Sequence, residues 1–282
     1  MKVVDTVTDL KSSLEIAVSK GFSIGFVPTM GALHLGHISL VESALRENDF
    51  VVVSIFVNPT QFNNSNDLAR YPRDLESDLI QLESTGCQLI FAPSIKEVYP
   101  KVDNRQFDFG LMGDVMEGKH RPGHFNGVAQ VVSRLFDLIN PQKAYFGIKD
   151  FQQIAIIKNM VKQMGLPVKI VECPIIRESD GLAMSSRNML LTAEMRKKAP
   201  LIAQTLNESC TFTAQDDVSQ VHRFVIDQIN QTEGLIVEYF DIVDGDTLQS
   251  ITNWDDSSFI VGCIAVFAGD LRLIDNIVYK KK

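Results

Sequence analysis

The chain has 282 residues, 45% of them hydrophobic, and its 27 Lys and Arg against 35 Asp and Glu give a formal net charge of −8. That length suits one large α/β domain with a smaller companion, and the apolar share is ample for buried cores. The acidic balance argues against a broad nucleic-acid face, which would show as a basic stripe, but it leaves room for a local anion site.

In chain order, the opening MKVVDTVTDLKSSLEIAV carries an aspartate where a secretory signal needs an apolar core. Apolar runs then predict strands at Ser23–Val27, Phe50–Val57, Leu89–Ala92, Lys143–Phe146 and Val168–Glu172. Between them, helical periodicity covers Ile38–Arg46, Arg73–Ser84, Val128–Ile139 and Phe151–Met164. Alternation of this kind predicts an α/β fold, a Rossmann-like parallel sheet with helices on both faces. Ligands of such sheets bind beyond the carboxyl ends of the strands, near a switch in strand order.

Past Pro174 the pattern changes. A polar loop, Arg177 to Asn188, leads to a helix capped by Thr192 with Glu194 in its first turn. A helical pattern at Val218–Ile229 and strand-like runs at Leu235–Val243, Phe259–Phe267 and Arg272–Val278 follow. The expected domains are 1–175, binding the ligands, and 176–282, a smaller α+β domain able to close over the sheet. The longest apolar runs, Phe50–Val57 and Phe259–Ala268, are too short to span a bilayer, so no membrane partner is expected. Four scattered cysteines, Cys87, Cys173, Cys210 and Cys263, form no Cys-x-x-Cys pair and sit in or beside apolar stretches. They read as buried reduced thiols in a cytoplasmic protein.

The most informative stretch is FVPTMGALHLGH at 26–37, between a strand and a helix. Pro28, Gly31 and Gly36 permit a tight turn, and a helix start after such a turn offers backbone N–H groups and a positive dipole end to an anion. His34 and His37 lie three residues apart on one side of that turn and can donate to phosphate oxygens. Asn58-Pro59-Thr60-Gln61-Phe62 ends the next buried strand, the Asn-Pro step turning the chain to present Gln61. Gln153 offers a second amide from a helix start; a primary amide both donates and accepts, which suits a substrate with hydroxyls and a carboxylate. Read alone, both glutamines equally suit a solvated surface. Gly147 permits backbone contact with a nucleotide, Lys149 can neutralise phosphate charge, and Asp150 at a helix start is at least a cap. Met184-Ser185-Ser186-Arg187 combines two hydroxyls with a guanidinium, a set that suits phosphates or an exposed polar turn. Pro122 and Gly123 break the spacing of His120 and His124, and no carboxylate or cysteine lies beside either histidine pair, so no protein-bound metal is expected.

The His-x-Gly-His element resembles that of the nucleotidyltransferase superfamily. The longer string PTMGALHLGH, with FVNPTQF at 56–62, HRPGHFNGV at 120–128, YFGIKDFQQ at 145–153 and RESDGLAMSSRN at 177–188, is similar to the pantothenate synthetase (pantoate–β-alanine ligase) family over nearly the whole chain. The resemblance implies ATP-dependent condensation of (R)-pantoate with β-alanine through a pantoyl-adenylate, giving pantothenate, AMP and pyrophosphate. It implies ATP contacts by Met30, Gly31, Ala32, Leu33, His34, Leu35, Gly36 and His37, by Gly147, Ile148, Lys149 and Asp150, and by Ile176, Met184, Ser185, Ser186 and Arg187. His37, His34, Lys149 and Arg187 are the implied catalytic set, and Gln61, Gln153 and Asn58 the substrate set. Mg²⁺ is expected on the ATP phosphates, and a homodimer is implied by the family alone. Ile148 stands where the family pattern is usually polar, so only a backbone contact is expected there; Arg187 replaces the lysine of the comparable synthetase loop. Tyr71, Glu117 and Arg121 fall at substrate-lid positions. Two other readings stay open: another His-x-Gly-His nucleotidyltransferase or a shortened tRNA synthetase, and a nucleotide-binding regulatory module without turnover. A synthetase would carry a basic tRNA-binding domain, and none is visible here. The other nucleotidyltransferases lack the two-glutamine set. A regulatory module would be marked by a lost phosphate-handling residue, whereas every expected one is present.

Overall fold

The computed structural model describes residues 1–62, 68–69, 71–212 and 217–281. They form two compact units: Met1–Phe109, Arg121–Ile148 and Gln153–Pro174 make the first, and Gly110–His120, Lys149–Gln152 and Ile175–Lys282 the second. The second unit therefore takes in two short segments from the first half of the sequence.

Among the described residues the first unit carries a six-stranded sheet, β1 (Lys2–Val4), β2 (Ile24–Thr29), β3 (Phe50–Ile55), β4 (Leu89–Phe91), β5 (Lys143–Gly147) and β6 (Lys169–Cys173). Every pairing is parallel, in the order β1-β4-β3-β2-β5-β6. Side chains alternate between two apolar layers, as the period of a strand requires. Phe26, Val52, Phe91, Ala144 and Phe146 pack with the helices Val7–Ser19 (α1), His124–Ile139 and Phe151–Met164. Val27, Val51, Val53, Ile90 and Tyr145 pack on the other side with Leu35–Glu47 (α2) and Leu82 of the helix Leu75–Glu83. Both faces are covered, which is why these strands read as near-continuous hydrophobic runs. β2 lies between β3 and β5, so the strand order reverses at its carboxyl end, where a parallel sheet opens a crevice.

The predicted strands and helices recur within a few residues of the expected ends. The helix expected from Val128 starts earlier, at His124, behind a left-handed Gly123. The three-residue β1, the helix α1 capped by Thr6, and the helix Leu201–Ser209 were not expected.

In the second unit β7 (Leu235–Asp244), β8 (Ile260–Ala268) and β9 (Leu271–Lys280) form an antiparallel meander. Phe240, Ile264 and Leu273 meet Met195, Ile202, Val221 and Val225 of the surrounding helices in one core. Thr192 caps the helix Ala193–Lys198 as expected, its Oγ1 accepting from Met195 N at 3.2 Å. Cys87, Cys173 and Cys263 are buried free thiols, but Cys210 is exposed, because it caps the carboxyl end of Leu201–Ser209. Among the described residues no helix is long and apolar enough to cross a membrane.

Candidate active site

Three of the sequence motifs follow β2, β3 and β5, the adjacent central strands of the first unit. The turn after β2, Met30 to Leu33, is tight: Gly31 has φ +80° and Ala32 φ +49°. His34 is the N-cap of α2, and its Nδ1 accepts from Gly36 N at 3.1 Å. His37, three positions on, returns the gesture, its Nδ1 accepting from His34 N at 3.3 Å. The pair thus builds a capping box from imidazoles in place of the usual hydroxyl and carboxylate. The two rings lie 4.0 Å apart between centroids, tilted by 37°. Accepting at Nδ1 requires each neutral ring to carry its proton on Nε2, so the cap sets the tautomer and makes Nε2–H a donor.

The sequence expectation of outward backbone N–H groups is not met at four of these positions. Ala32 N donates to Asp78 Oδ2 at 3.0 Å and Leu33 N to Asp78 Oδ1 at 2.7 Å, while the amides of His34 and Gly36 are taken by the rings. The turn is built to present imidazoles. Asp78 is only 2% exposed, and burial pushes its carboxyl above the usual range. The Leu33 and Ala32 amides pull the other way, and the nearby charge of Asp74 adds to the rise. Asp78 lies in no sequence motif; its signal in the sequence is its place four residues before the buried Leu82, on the same stripe of its helix.

After β3, Asn58 caps a single 3₁₀ turn, Pro59–Gln61. Asn58 is 1% exposed and wholly engaged with protein. Its Nδ2 donates to Gly127 O at 3.1 Å and faces Gln61 Oε1 at 3.4 Å, while Oδ1 accepts from Tyr99 OH at 3.2 Å and Thr60 Oγ1 at 3.1 Å. Burial pushes the Tyr99 hydroxyl up to about 12, so it stays a donor. Gln61 is buried too, its Nε2 lying 2.9 Å from Met30 Sδ, which links this turn to the one after β2. Two features of HRPGHFNGV hold Gln61 from the other side. His124 Nδ1 donates to Gln61 O at 2.8 Å, with Arg121 Nη1 3.3 Å from His124 Nε2. Gly127 packs directly on the turn: a Cβ there would lie 2.5 Å from Thr60 O and 2.9 Å from Gln61 Cα. His124 is thus a buried support, and His120 belongs to the second unit, where its ring stacks on Tyr239 at 5.4 Å. Tyr71 packs edge-on to Phe62, with ring centroids 5.7 Å apart.

β5 ends at Gly147, where a Cβ would meet no protein atom within 4 Å, so packing does not demand glycine there. Ile148–Asp150 form one 3₁₀ turn into the helix Phe151–Met164. Of the adjacent glutamines, Gln152 is buried and holds the 110–117 segment through Met112 O, Val115 O and Glu117 N; Gln153 is half-buried in the first unit.

The remaining residues belong to the second unit. Lys149 Nζ donates to Met184 O at 3.1 Å, and Lys149 O accepts from Asn276 Nδ2 at 3.0 Å. Met184 N in turn donates to Ile176 O at 3.0 Å, closing a small hairpin with Arg177 opposite Ala183. Ser185 caps the 3₁₀ turn Ser186–Leu190 through Arg187 N. Lys149, Met184, Ser185 and Arg187 are half-buried, and Ser186 is buried. The rest of RESDGLAMSSRN is scaffold. Arg177 makes a two-pronged pair with the buried Asp275 at 2.6 and 3.0 Å, Asn188 donates to Glu178 Oε1 and Ala183 O, and Arg196 pairs with Asp180 and Glu178. Glu117, expected at a lid, is buried and committed to a two-pronged pair with Arg272 and to Tyr239 OH at 2.8 Å. Its partners tie the 110–120 segment to β7 and β9. Among the described residues no group of three or more His, Cys, Asp or Glu side chains could hold a metal ion.

Residues 2–278 match the family model for pantoate-beta-alanine ligase. A pantothenate synthetase of Phocaeicola vulgatus is 58% identical over 99% of this chain and 100% of its own length, and one of Bacteroides fragilis is 56% identical over the full length of both. Among solved structures, a pantothenate synthetase from Thermus thermophilus superposes with a TM-score of 0.92 at 42% identity, covering 99% of this chain and 100% of that one. A pantoate-beta-alanine ligase from Francisella tularensis, complexed with beta-gamma ATP and beta-alanine, gives a TM-score of 0.81 at 36% identity over 99% and 98% of the two chains.

Proposed function

The chain belongs to the pantoate–β-alanine ligase family, and on that premise we propose that it condenses pantoate with β-alanine at the expense of ATP, through a pantoyl-adenylate, releasing pyrophosphate and then AMP. The observation that carries this reading is the imidazole capping box. It presents two fixed Nε2–H donors at the carboxyl end of β2, where the strand order reverses.

A carboxylate is already ionised near pH 7, so attack on the α-phosphate needs no general base. The step needs alignment and donors aimed at charge spreading over the phosphoryl oxygens. His34 and His37 are assigned that donor role. Lys149 and Arg187 are assigned neutralisation of the departing pyrophosphate, the hydroxyls of Ser185 and Ser186 its oxygens, and the backbone at Ile176 the adenine. The open space at Gly147 suits close approach by the nucleotide, and at Ile148 only the main chain is assigned a contact. Gln61 and Gln153 are assigned pantoate, with Gln61 also near β-alanine. Asn58 has both amide atoms engaged, so its part is to aim Gln61. Mg²⁺ enters with ATP as part of the substrate. The amine of β-alanine, as the free base, attacks the acyl carbon and AMP leaves. A homodimer and a cytoplasmic location complete the reading on family grounds.

The test is pyrophosphate release from Mg-ATP with and without pantoate, omitting β-alanine. Pantoate-dependent release of about one equivalent per site, restored to turnover by β-alanine, is the expected result of a trapped adenylate. Folded protein that binds ATP yet releases nothing with pantoate would sink the assignment.

A further inference from the structure

We propose that Asp78 is a positioning residue for both histidines, acting through the backbone of the turn after β2; the inference rests on the reading of His34 and His37 as phosphate donors. Its two oxygens accept from consecutive amides, Leu33 N at 2.7 Å and Ala32 N at 3.0 Å, and so fix the two peptide planes that lead into His34. His34 N is the donor that holds the His37 ring, and the His34 ring is held by Gly36 N. Asp78 holds the Gly31–Ala32 and Ala32–Leu33 peptides, so a shift of either would carry the next peptide with it, moving the His34 N that holds the His37 ring and the Cα that carries the His34 ring. The fit is close on the turn's side as well, since a Cβ on Gly31 would lie 2.8 Å from Asp78 Oδ2 and 3.2 Å from Ile55 Cγ2.

An apolar side chain at 78 would complete the stripe of the helix Leu75–Glu83 but leave two amides of a buried turn without acceptors. A carboxylate solves that problem against its own solvation, as the upward push on its carboxyl shows. No charge of Asp78 reaches the substrate directly in this scheme; its effect is the placement of the two Nε2–H donors.

The experiment compares Asp78→Asn with wild type in three readouts: pantoate-dependent pyrophosphate release, ATP affinity by equilibrium dialysis, and ¹⁵N signals of the His34 and His37 rings. Asn keeps the shape but can accept from only one of the two amides. Release should slow by about 10–100-fold, the scale of an ångström of misplacement, while ATP affinity changes only a few-fold. The ring signals should lose the wild-type pattern of protonated Nε2 and bare Nδ1. Because Asp78 acts through both rings, adding Asp78→Asn to His37→Ala should slow release by less than it slows the wild type, the remaining loss coming from His34. Wild-type release with unchanged ring signals, or losses that multiply in the double variant, would overturn the proposal. If His37→Ala itself releases pyrophosphate normally, the phosphate reading falls, and the ring signals still decide whether Asp78 sets the tautomers. Should Asp78→Asn not fold, Gly31→Ala presses the same carboxylate from the turn's side; normal release and normal ring signals in that variant would also overturn the proposal.

Discussion

The turn after β2 and the 176–188 hairpin both present polar side chains, but they are held in opposite ways. The turn hangs on a buried carboxylate that accepts from backbone amides, with left-handed residues above it. The hairpin hangs on guanidinium–carboxylate pairs, of which only Arg177–Asp275 has a buried partner; Arg196 with Asp180 and Glu178 is solvated. The two aspartates register the difference. Burial pushes the Asp78 carboxyl up, whereas the Arg196 guanidinium holds Asp180 below the ordinary carboxylate range. The first arrangement should resist salt, whereas the second leaves the presented residues, Ser185 to Arg187, on a support that salt should loosen.

The widest separation between the regions should appear in His37→Ala. Losing one preorganised donor typically lowers the rate about 10²–10³-fold, or roughly 3–4 kcal/mol in the barrier, with ATP affinity much less affected. Rapid-quench measurement of pyrophosphate release would show it, and near-normal release would remove His37 from the chemistry. Arg177→Ala comes next. It strands the buried Asp275 carboxylate, so a stability loss of about 2–4 kcal/mol is expected in a denaturant titration, with β9 amides near Asn276 exchanging faster. A loss under about 1 kcal/mol would mean the hairpin does not depend on that pair. Gly127→Ala should cost about 1–3 kcal/mol, because its methyl meets backbone that cannot give way, and should raise the pantoate KM by shifting Gln61. An unchanged pantoate KM would separate Gln61 from that substrate.

The pH responses of the two aspartates should run in opposite directions. Asp78 has a raised carboxyl in the fold, so its contribution to stability is greatest below the unfolded carboxylate range and is lost as pH rises through the raised value. Asp180 has a lowered carboxyl, so its contribution is present above the unfolded range and is lost as pH falls through the lowered value. Melting curves between about pH 3 and 8 should show Asp78→Asn gaining on wild type as pH rises and Asp180→Asn losing on it. Parallel trends would contradict the contrast between burial and ion pairing.

Much of this was legible in the sequence for a simple reason. Strands buried on both faces, such as Phe50–Ile55, are continuous apolar runs, and β2, β3 and β5 each end in a recognisable motif. What escaped was whatever depended on contacts distant in sequence. β1 is three residues long and gains its place only by pairing with β4, 87 positions later at Lys2 and Leu89. Asp78 lies far from the amides it holds, so nothing near Ala32 announces it. The loop amides expected to face an anion face that carboxylate instead, and no local pattern distinguishes the two outcomes. Asn58 illustrates the same limit: its residue type suits a ligand, but its partners, Gly127 and Tyr99, come from two other elements. Glu117 and Arg272 are 155 positions apart, so their pairing has no local signature.

The smallest effect is also the cleanest separation of the two regions. Arg196→Ala removes both solvated pairs of the hairpin, with Asp180 and with Glu178, while leaving Arg177–Asp275 in place. Such exposed pairs contribute about 0.2–1 kcal/mol each in double-mutant cycles, so a shift of only a few degrees in Tm is expected. The informative quantity is its salt dependence. At 1 M salt the screening length falls to about 3 Å, which should erase most of the difference between Arg196→Ala and wild type. The Asp78→Asn rate defect should persist there, because the Asp78 carboxylate is buried against amides and ions do not reach it. A salt-sensitive Asp78→Asn defect, or a salt-insensitive Arg196→Ala one, would mean that the turn and the hairpin are held by the same kind of force after all.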